Sequence, residues 1–261
     1  MKCLNEVNYK DCVGKVYKSK LSGDFKIVKY NDAKDVEIQF LKTGFEMTVE
    51  LGSIKNGSVK DPYIPSVFGV GMLGTKYPSR EGDRNTKEYM LWVDMLRRCY
   101  SDDFKKRYPT YEGCEVSNNF KSYEYFYEWC NEQVGFGNDG NGNPFHLDKD
   151  LLVKGNKVYS ETTCVFLPQE INTLLIKSTA TRGKHLIGVY WSNTNKAFVA
   201  QVGKNKGKQE YLGCFKTEIE AFNAYKQAKE SFIKEQAEKR KGQIDERVYK
   251  ALMNYEVSID D

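Results

Sequence analysis

The sequence has no long apolar run, no C-x-x-C pair and only two histidines. No segment approaches the roughly 18 consecutive apolar residues that a membrane-spanning helix needs, so we expect no membrane partner. The opening residues, MKCLNEVNYKDCVG, lack the apolar core and the cleavage site of a signal peptide, which favours a cytoplasmic location. The seven cysteines are odd in number and scattered, which favours free thiols over disulfides.

Zinc is not expected either. The cysteines that could gather around a zinc ion contain no tightly spaced pair, and each falls on an apolar stripe or strand; they are Cys99, Cys114, Cys130 and Cys164. The pattern therefore predicts buried thiols.

A strong charge imbalance is also missing. Forty Lys and Arg oppose 36 Asp and Glu, a net charge of +4 that does not by itself indicate a nucleic-acid partner. The distribution is more informative, because GKNKGKQEY places Lys204, Lys206 and Lys208 in one turn. Such a cluster could follow a phosphate backbone, although solvated surface lysine is the commoner explanation.

The first 75 residues have a β pattern. Short apolar or alternating runs, FKIVKY, DVEIQFL and EMTVELGSI, are separated by the turn signals LSGDF, KTGF and KNGSVKD. They predict a small antiparallel β-barrel over residues 1–75. Nothing in this module is diagnostic of a function, and a barrel of this size could bind DNA, RNA or a protein partner.

Two amphipathic helices precede the stretch HLDKDLLVKGNKVYS. The first is predicted to begin near Thr86, and the second lies within FKSYEYFYEWCNEQ. In the stretch itself, apolar residues at 147–153 and 158–159 flank KGNK, which predicts a hairpin closed by that turn. CVFLPQEINTLLIK then predicts a short strand and a helix that starts at Pro168.

A separate unit follows Gly183. HLIGVYWS, KAFVAQV and EYLGCF predict three strands, and TEIEAFNAYKQAKESFIKEQAEKRK predicts a helix. Thr217 and Glu220 have the spacing of a capping box at its start. The tail, residues 241–261, is predicted to add one short helix before a frayed acidic end. The whole chain is therefore predicted to be of the α+β class.

Residues 183–240 resemble the AP2 DNA-binding domain, in which a three-stranded sheet packs on one helix. The resemblance is carried by GVYW, KAFVAQV, YLGCF and TEIEAFNAY, in this order. It implies that the outer face of the sheet enters the major groove of duplex DNA. Strand alternation assigns Phe198, Ala200, Val202, Leu212 and Phe215 to the helix side. The DNA side is then expected to carry Tyr190, Ser192, Gln201, Gln209 and Tyr211, with Lys196, Lys204, Lys206 and Lys208 at the phosphates.

This sheet departs from plant AP2 domains, which have several arginines on the DNA side where the present chain is largely uncharged. Sequence-specific recognition and non-specific duplex binding both remain open, as does a sheet that binds a protein and no nucleic acid.

Residues 86–180 resemble HNH endonucleases of phages and mobile introns, which often carry an AP2 domain. The resemblance covers LWVDMLRRCYSDDFKKRYPTYEGCEVSNNFKSYEYFYEW and the HLDKD stretch through EIN. It implies a ββα motif that holds one Mg²⁺ or Mn²⁺ through Asp148, at the end of the first strand, and Asn172, in the helix. A phage origin would place the protein in the cytoplasm of a bacterial host.

The residue after the first ligand is usually a histidine that activates water, and here it is Lys149. A protonated lysine is a poor base, since its ordinary pKa is about 10.4. His146 lies two residues before Asp148, so on a strand it faces the same side and could act in its place, with Lys149 contacting the scissile phosphate. Two further interpretations remain open: a DNA-binding regulator without catalysis, and a phage-encoded interaction protein that inhibits a host enzyme.

Overall fold

The computed structural model describes residues 9–137, 145–176, 183–204, 208–259 and 261. Their contacts divide the chain into two units, Met1–Tyr127 and Glu128–Asp261. Helices and several small antiparallel sheets occur in both, which agrees with the predicted α+β class.

The first unit begins with a four-stranded antiparallel meander in the order β1-β2-β3-β4. Its elements are β1 (Val16–Ser19), β2 (Gly23–Asp32), β3 (Asp35–Phe40), β4 (Glu46–Val49) and helix α1 (Leu51–Asn56). Alternate residues of β2 and β3, such as Phe25 and Ile38, are buried on one face, and Leu51 and Ile54 of α1 pack into the same core. The period-two pattern thus buries one face, as an antiparallel sheet with one solvated side requires.

The prediction of a closed barrel is wrong for the described residues. Strands β1 and β4 each pair with one neighbour only, so the sheet stays open. The predicted strand EMTVELGSI also ends early, because the chain turns into α1 at Leu51. A helix that covers the apolar face gives the core a second layer without closure of the sheet.

The remainder of the first unit consists of helices and minimal strands. Its elements are β5 (Arg80–Glu81), β6 (Arg84–Asn85), α2 (Lys87–Tyr100), α3 (Asp102–Arg107), β7 (Glu115–Val116) and α4 (Tyr123–Glu132), whose last turn belongs to the second unit. Helix α2 begins where predicted, because the Thr86 hydroxyl accepts a hydrogen bond from the backbone N–H of Tyr89. The indole N–H of the fully buried Trp92 donates to the carbonyl of Phe120 at 2.8 Å, which satisfies a polar group inside this core.

The second unit starts with a strand pair and a short helix: β8 (Phe145–Asp148), β9 (Val158–Tyr159), β10 (Val165–Pro168) and α5 (Gln169–Leu174). Strand β8 pairs with β10 in antiparallel register, with Asp148 opposite Val165 and Phe145 opposite Pro168. The predicted hairpin closed by KGNK is therefore wrong, whereas the strand and helix around Pro168 are confirmed. Apolar spacing alone could not distinguish β9 from β10 as the partner of β8.

A three-stranded antiparallel sheet and a long helix follow, as predicted: β11 (Val189–Ser192), β12 (Ala197–Gly203), β13 (Gln209–Phe215) and α6 (Glu218–Lys239). Thr217 and Glu220 form the predicted capping box. The residues assigned to the helix side are confirmed, since Ala200, Val202, Phe198, Leu212 and Phe215 all belong to the core shared with α6.

The prediction of a frayed acidic end is wrong for the described residues. After α7 (Glu246–Met253), Tyr255 and Val257 pack into the core between the sheet and α6. The ammonium of Lys226 donates to the carbonyl of Val257, and the N–H of Val257 donates to Glu230, both at 2.8 Å. The side chains of Tyr255 and Val257 thus anchor the end of the tail. Across the described ranges, no helix has the length and apolar character to cross a membrane.

Candidate functional site

Strands β8 and β10 and helix α5 form a ββα arrangement. The chain enters α5 directly from β10, and α5 packs against both strands. Asp148 is the last residue of β8, His146 lies two residues before it on the same side of the strand, and Asn172 lies on α5. The residues expected to form a metal site therefore belong to one compact motif.

The carboxylate of Asp148 is held in one orientation, but its negative charge is only partly compensated. Its Oδ1 accepts the backbone N–H groups of Asp150 at 2.9 Å and Leu151 at 2.8 Å. No described residue donates to its Oδ2. Burial raises the pKa of Asp148 above its ordinary value, although the two backbone hydrogen bonds oppose that shift. The site thus holds a carboxylate whose ionised form a cation would stabilise.

Lys149 is buried, with 7% of its surface exposed. Its ammonium donates to Asp150 at 2.6 Å and to the carbonyl of Asn156 at 2.9 Å, and it lies 5.6 Å from the centre of the buried Tyr159 ring. These contacts satisfy the charge inside the loop that follows β8. The ammonium is consequently occupied in holding this loop.

Asn156 is the residue of this site that the sequence reasoning missed. Its side-chain N–H groups donate to the carbonyls of Lys149 at 2.8 Å and Val158 at 2.7 Å, and its Oδ1 accepts the N–H of Val158 at 3.1 Å. One carboxamide therefore ties together both ends of the loop 149–158. The available signal is the Gly-Asn pair, which by itself predicts a hairpin turn and not this side-chain role.

Replacing Asn156 with alanine is expected to destabilise the protein by about 1–2 kcal/mol, because three hydrogen bonds are lost at a half-exposed position. Thermal unfolding should show a decrease in melting temperature of about 2–8 °C. Asn254→Ala is the matched control, since its side chain makes one exposed hydrogen bond to the carbonyl of Lys250. Equal melting temperatures for the two variants would show that Asn156 does not organise the loop.

Asn172 and His146 are both half-buried. Asn172 follows the buried Ile171 on α5, and its side-chain carboxamide makes no hydrogen bond to the described residues. His146 is paired across the sheet with the buried Leu167. Both side chains are thus partly accessible.

The donor set of this motif suits a hard divalent cation. Mg²⁺ keeps several of its waters and is commonly bound through only one or two carboxylates, so a single Asp with an amide oxygen is a compatible partial shell. Within the ranges that the structure describes, no group of three or more His, Cys, Asp or Glu side chains is arranged to hold a metal. The four cysteines considered for zinc are buried thiols, as predicted.

The outer face of the β11–β13 sheet carries the aromatic residues expected to contact DNA. Tyr190 is 43% exposed and Tyr211 63% exposed, whereas Gln209 is exposed and Ser192 and Gln201 are half-buried. The Tyr211 hydroxyl lies 3.1 Å from the sulfur of the exposed Cys214. This hydrogen bond is the main cause that raises the pKa of Tyr211.

The expected phosphate-contacting lysines differ in their environment. Lys196 and Lys208 are exposed, and Lys196 has a positive φ of 50°, which is uncommon for a residue with a side chain. Lys204 is paired with Glu210, so its charge is partly compensated. Lys206 lies outside the described residues. The net positive charge of this face is therefore modest.

Two further residues of the outer face were not predicted. Cys214 and Val199 pair across the strands, and Tyr190 pairs with Val199 from the other side. Asn195 donates to the Cys214 sulfur at 3.3 Å. An irregularity in the register between Ala200 and Gln201 shifts the alternation in β13, which is why simple period-two counting did not assign Cys214 to this face.

Comparison with known proteins identifies no relative: no family model, curated protein or solved structure matches this chain.

Proposed function

We propose that this protein is a metal-dependent DNA endonuclease of the HNH type, which holds duplex DNA on the outer face of the β11–β13 sheet and hydrolyses one phosphodiester strand. The observation that carries the proposal is the ββα arrangement in which Asp148 ends a strand and α5, with Asn172, packs on that strand and its partner.

In this proposal Asp148 and Asn172 hold Mg²⁺ or Mn²⁺ through oxygen atoms. The raised pKa of Asp148 supports the choice, because a partly desolvated carboxylate without full compensation gains most from a cation. The bound ion would stabilise negative charge on the scissile phosphate.

His146 is the proposed general base. Its imidazole would accept a proton from the attacking water as the water oxygen bonds to phosphorus, while the P–O bond to the leaving sugar oxygen breaks and that oxygen takes a proton from solvent. Lys149 is proposed to hold the loop after β8 in place, and not to contact the scissile phosphate as the sequence had led us to expect. The reason is that its ammonium is buried and donates to Asp150 and to the carbonyl of Asn156.

Plasmid relaxation tests the reaction directly. The full chain is incubated with supercoiled plasmid and Mg²⁺ or Mn²⁺, with a matched sample in EDTA. Conversion to open circles only with the metal supports the proposal, and linear product is not expected because one active site reaches one strand. Supercoiled plasmid that persists under all metal conditions would contradict it.

Tyr211→Ala is expected to lower the affinity for duplex DNA about tenfold, which corresponds to about 1.4 kcal/mol. The reason is the loss of the most exposed aromatic side chain of the sheet, at 63% exposure. Fluorescence anisotropy with a labelled duplex measures the effect. Tyr108→Ala, which removes a 47% exposed tyrosine from the other unit, is the matched control and should bind like the wild type.

Protection of Cys214 from chemical modification is an independent test of DNA binding by the same face. Among the described cysteines only Cys214 is exposed, so in a Cys3→Ser background a maleimide should modify it, and duplex DNA should slow that reaction. Unchanged Tyr211→Ala affinity together with an unprotected Cys214 would contradict DNA binding by this sheet.

A catalytically inactive DNA-binding regulator is the second candidate function. Two observations favour it: the residue at the usual base position, Lys149, is buried in an ion pair, and the described residues contain no three-ligand metal cluster. An intact mobility shift without plasmid relaxation would identify this candidate.

A further inference from the structure

Helix α6 connects the sheet to the ββα motif without interruption. Its 22 residues span about 33 Å, since an α-helix rises about 1.5 Å per residue. Ala221, Phe222 and Tyr225, in its first half, belong to the core shared with the sheet. The second half, which buries Phe232 and Ala237, ends near α5. One rigid element therefore contacts both parts of the second unit.

The end of α6 is fixed to α5 by an ion pair. Arg240, the residue at the C-cap of α6, pairs with Glu170 in the first turn of α5. The Arg240 side chain is only 17% exposed. Glu170 lies two residues before Asn172, so the contact is made close to the proposed ligand.

The tail makes a second connection. It is anchored to α6 through Val257, which accepts from Lys226 and donates to Glu230. Beyond this anchor, the Asp261 carboxylate, 4% exposed, pairs with Lys154 at 3.1 Å. Lys154 lies in the loop 149–158 that follows Asp148. Because one partner is buried, this pair is less screened than an ordinary surface ion pair.

We infer that these two ion pairs, Arg240–Glu170 and Lys154–Asp261, act as a brace that fixes the distance between the DNA-binding sheet and the ββα motif, so that the nick falls at a set distance from the bound sequence. The inference depends on the proposed function and adds the role of positioning residues to it. Without such contacts, modules joined by a short segment are expected to move relative to each other.

Distance measurements test the brace without any requirement for activity. Spin labels are attached to Thr194→Cys in the β11–β12 turn and Gln169→Cys at the start of α5, both exposed positions, in a background with Cys3→Ser and Cys214→Ser. The full chain should give one narrow distance distribution. Lys154→Ala combined with Arg240→Ala should broaden it about twofold.

The matched control is Lys239→Ala. Lys239 neighbours Arg240 on α6 but pairs with Glu235 of the same helix, so its loss removes a charge and an ion pair without touching the brace. The distribution should remain narrow. If the double alanine variant does not fold, Arg240→Glu alone should broaden the distribution, and the added change Glu170→Arg, which exchanges the two charges, should narrow it again.

Mapping of the nick position then tests whether the brace sets the distance between the bound sequence and the cut bond. On a duplex with one high-affinity site, the wild type and Lys239→Ala should cut one bond, whereas the double alanine variant should cut several neighbouring bonds with the total rate retained. One nucleotide corresponds to about 3.4 Å along a strand, so sequencing gels resolve this scatter.

The outcomes separate the two proposals. An equally narrow distribution in the double alanine variant overturns the brace, whatever the activity. A broadened distribution with an unchanged cut position overturns the effect on spacing and leaves the endonuclease intact. A broadened distribution in a protein that never nicks supports the brace and overturns the endonuclease.

Discussion

Replacing Asp148 with asparagine is expected to lower the rate of metal-dependent nicking by about 10³-fold, or about 4 kcal/mol of transition-state stabilisation. Asparagine can still accept the N–H groups of Asp150 and Leu151 through its Oδ1, so the turn after β8 should be kept. Only the negative charge that would hold the cation is removed. Plasmid relaxation measures the rate, and an anisotropy titration should show unchanged DNA affinity.

Asp150→Asn is the matched control for this prediction. Asp150 is the exposed neighbouring carboxylate that pairs with Lys149, and asparagine can still accept that hydrogen bond. Its effect on nicking should stay below about tenfold, since it acts on loop position alone. Comparable losses in both variants would mean that Asp148 has no special role in the reaction.

Asp148→Asn is also expected to change the stability of the protein, and this effect does not depend on activity. Because burial raises the pKa of Asp148 in the folded state, the protonated form favours folding, and this contribution is lost as the pH rises through the raised pKa. In metal-free buffer at neutral pH, Asp148→Asn should therefore melt above the wild type. Added Mg²⁺ should raise the melting temperature of the wild type alone. A Mg²⁺ effect of equal size in both proteins would place the ion elsewhere.

Gly188→Ala is expected to destabilise the second unit by about 3 kcal/mol, which corresponds to a decrease in melting temperature of about 6–12 °C. Gly188 has a φ of +76°, and a Cβ at this position would overlap the ring of Tyr225 on α6. Tyr225 is buried in the core between the sheet and the helix, so its ring has no space to move away. Loss of DNA binding should accompany the loss of stability.

Two glycine controls separate the causes of this effect. Gly155→Ala has a comparable φ of +75° with open space around the Cβ, so it should cost about 1 kcal/mol from backbone strain alone. Gly183→Ala has neither a positive φ nor a close neighbour and should be nearly neutral. If Gly188→Ala were no more destabilising than Gly155→Ala, the close packing of Tyr225 would not matter.

Local signals predicted most of the helices and the C-terminal sheet. Thr217 and Glu220 marked the start of α6, and the apolar stripe with Trp92 marked α2, because caps and helical periodicity are properties of neighbouring residues. The closed barrel and the KGNK hairpin were wrong for one shared reason. Each required a choice of strand partner, and pairing is decided by contacts distant in the sequence.

In the candidate site, too, the sequence predicted some features and only the folded chain revealed others. The resemblance to HNH endonucleases singled out Asp148 and Asn172, and strand alternation added His146; α5 packs on the strand that carries Asp148. The burial of Lys149 and the hydrogen bonds of Asn156 could not be predicted, because they arise from how the loop 149–158 folds back on itself. A loop conformation depends on which backbone groups remain to be paired after the strands have formed.

By itself, the sequence determined the starts of α2 and α6 and the helix side of the C-terminal sheet, since these follow from periodicity and capping over a few residues. The tertiary structure alone decided that β8 pairs with β10, that Lys149 is buried against Asp150 and Asn156, and that the tail returns to Lys154. The physical reason is that burial, ion pairing and strand partnership depend on residues brought together by the whole chain, whose sequence separation leaves no local pattern.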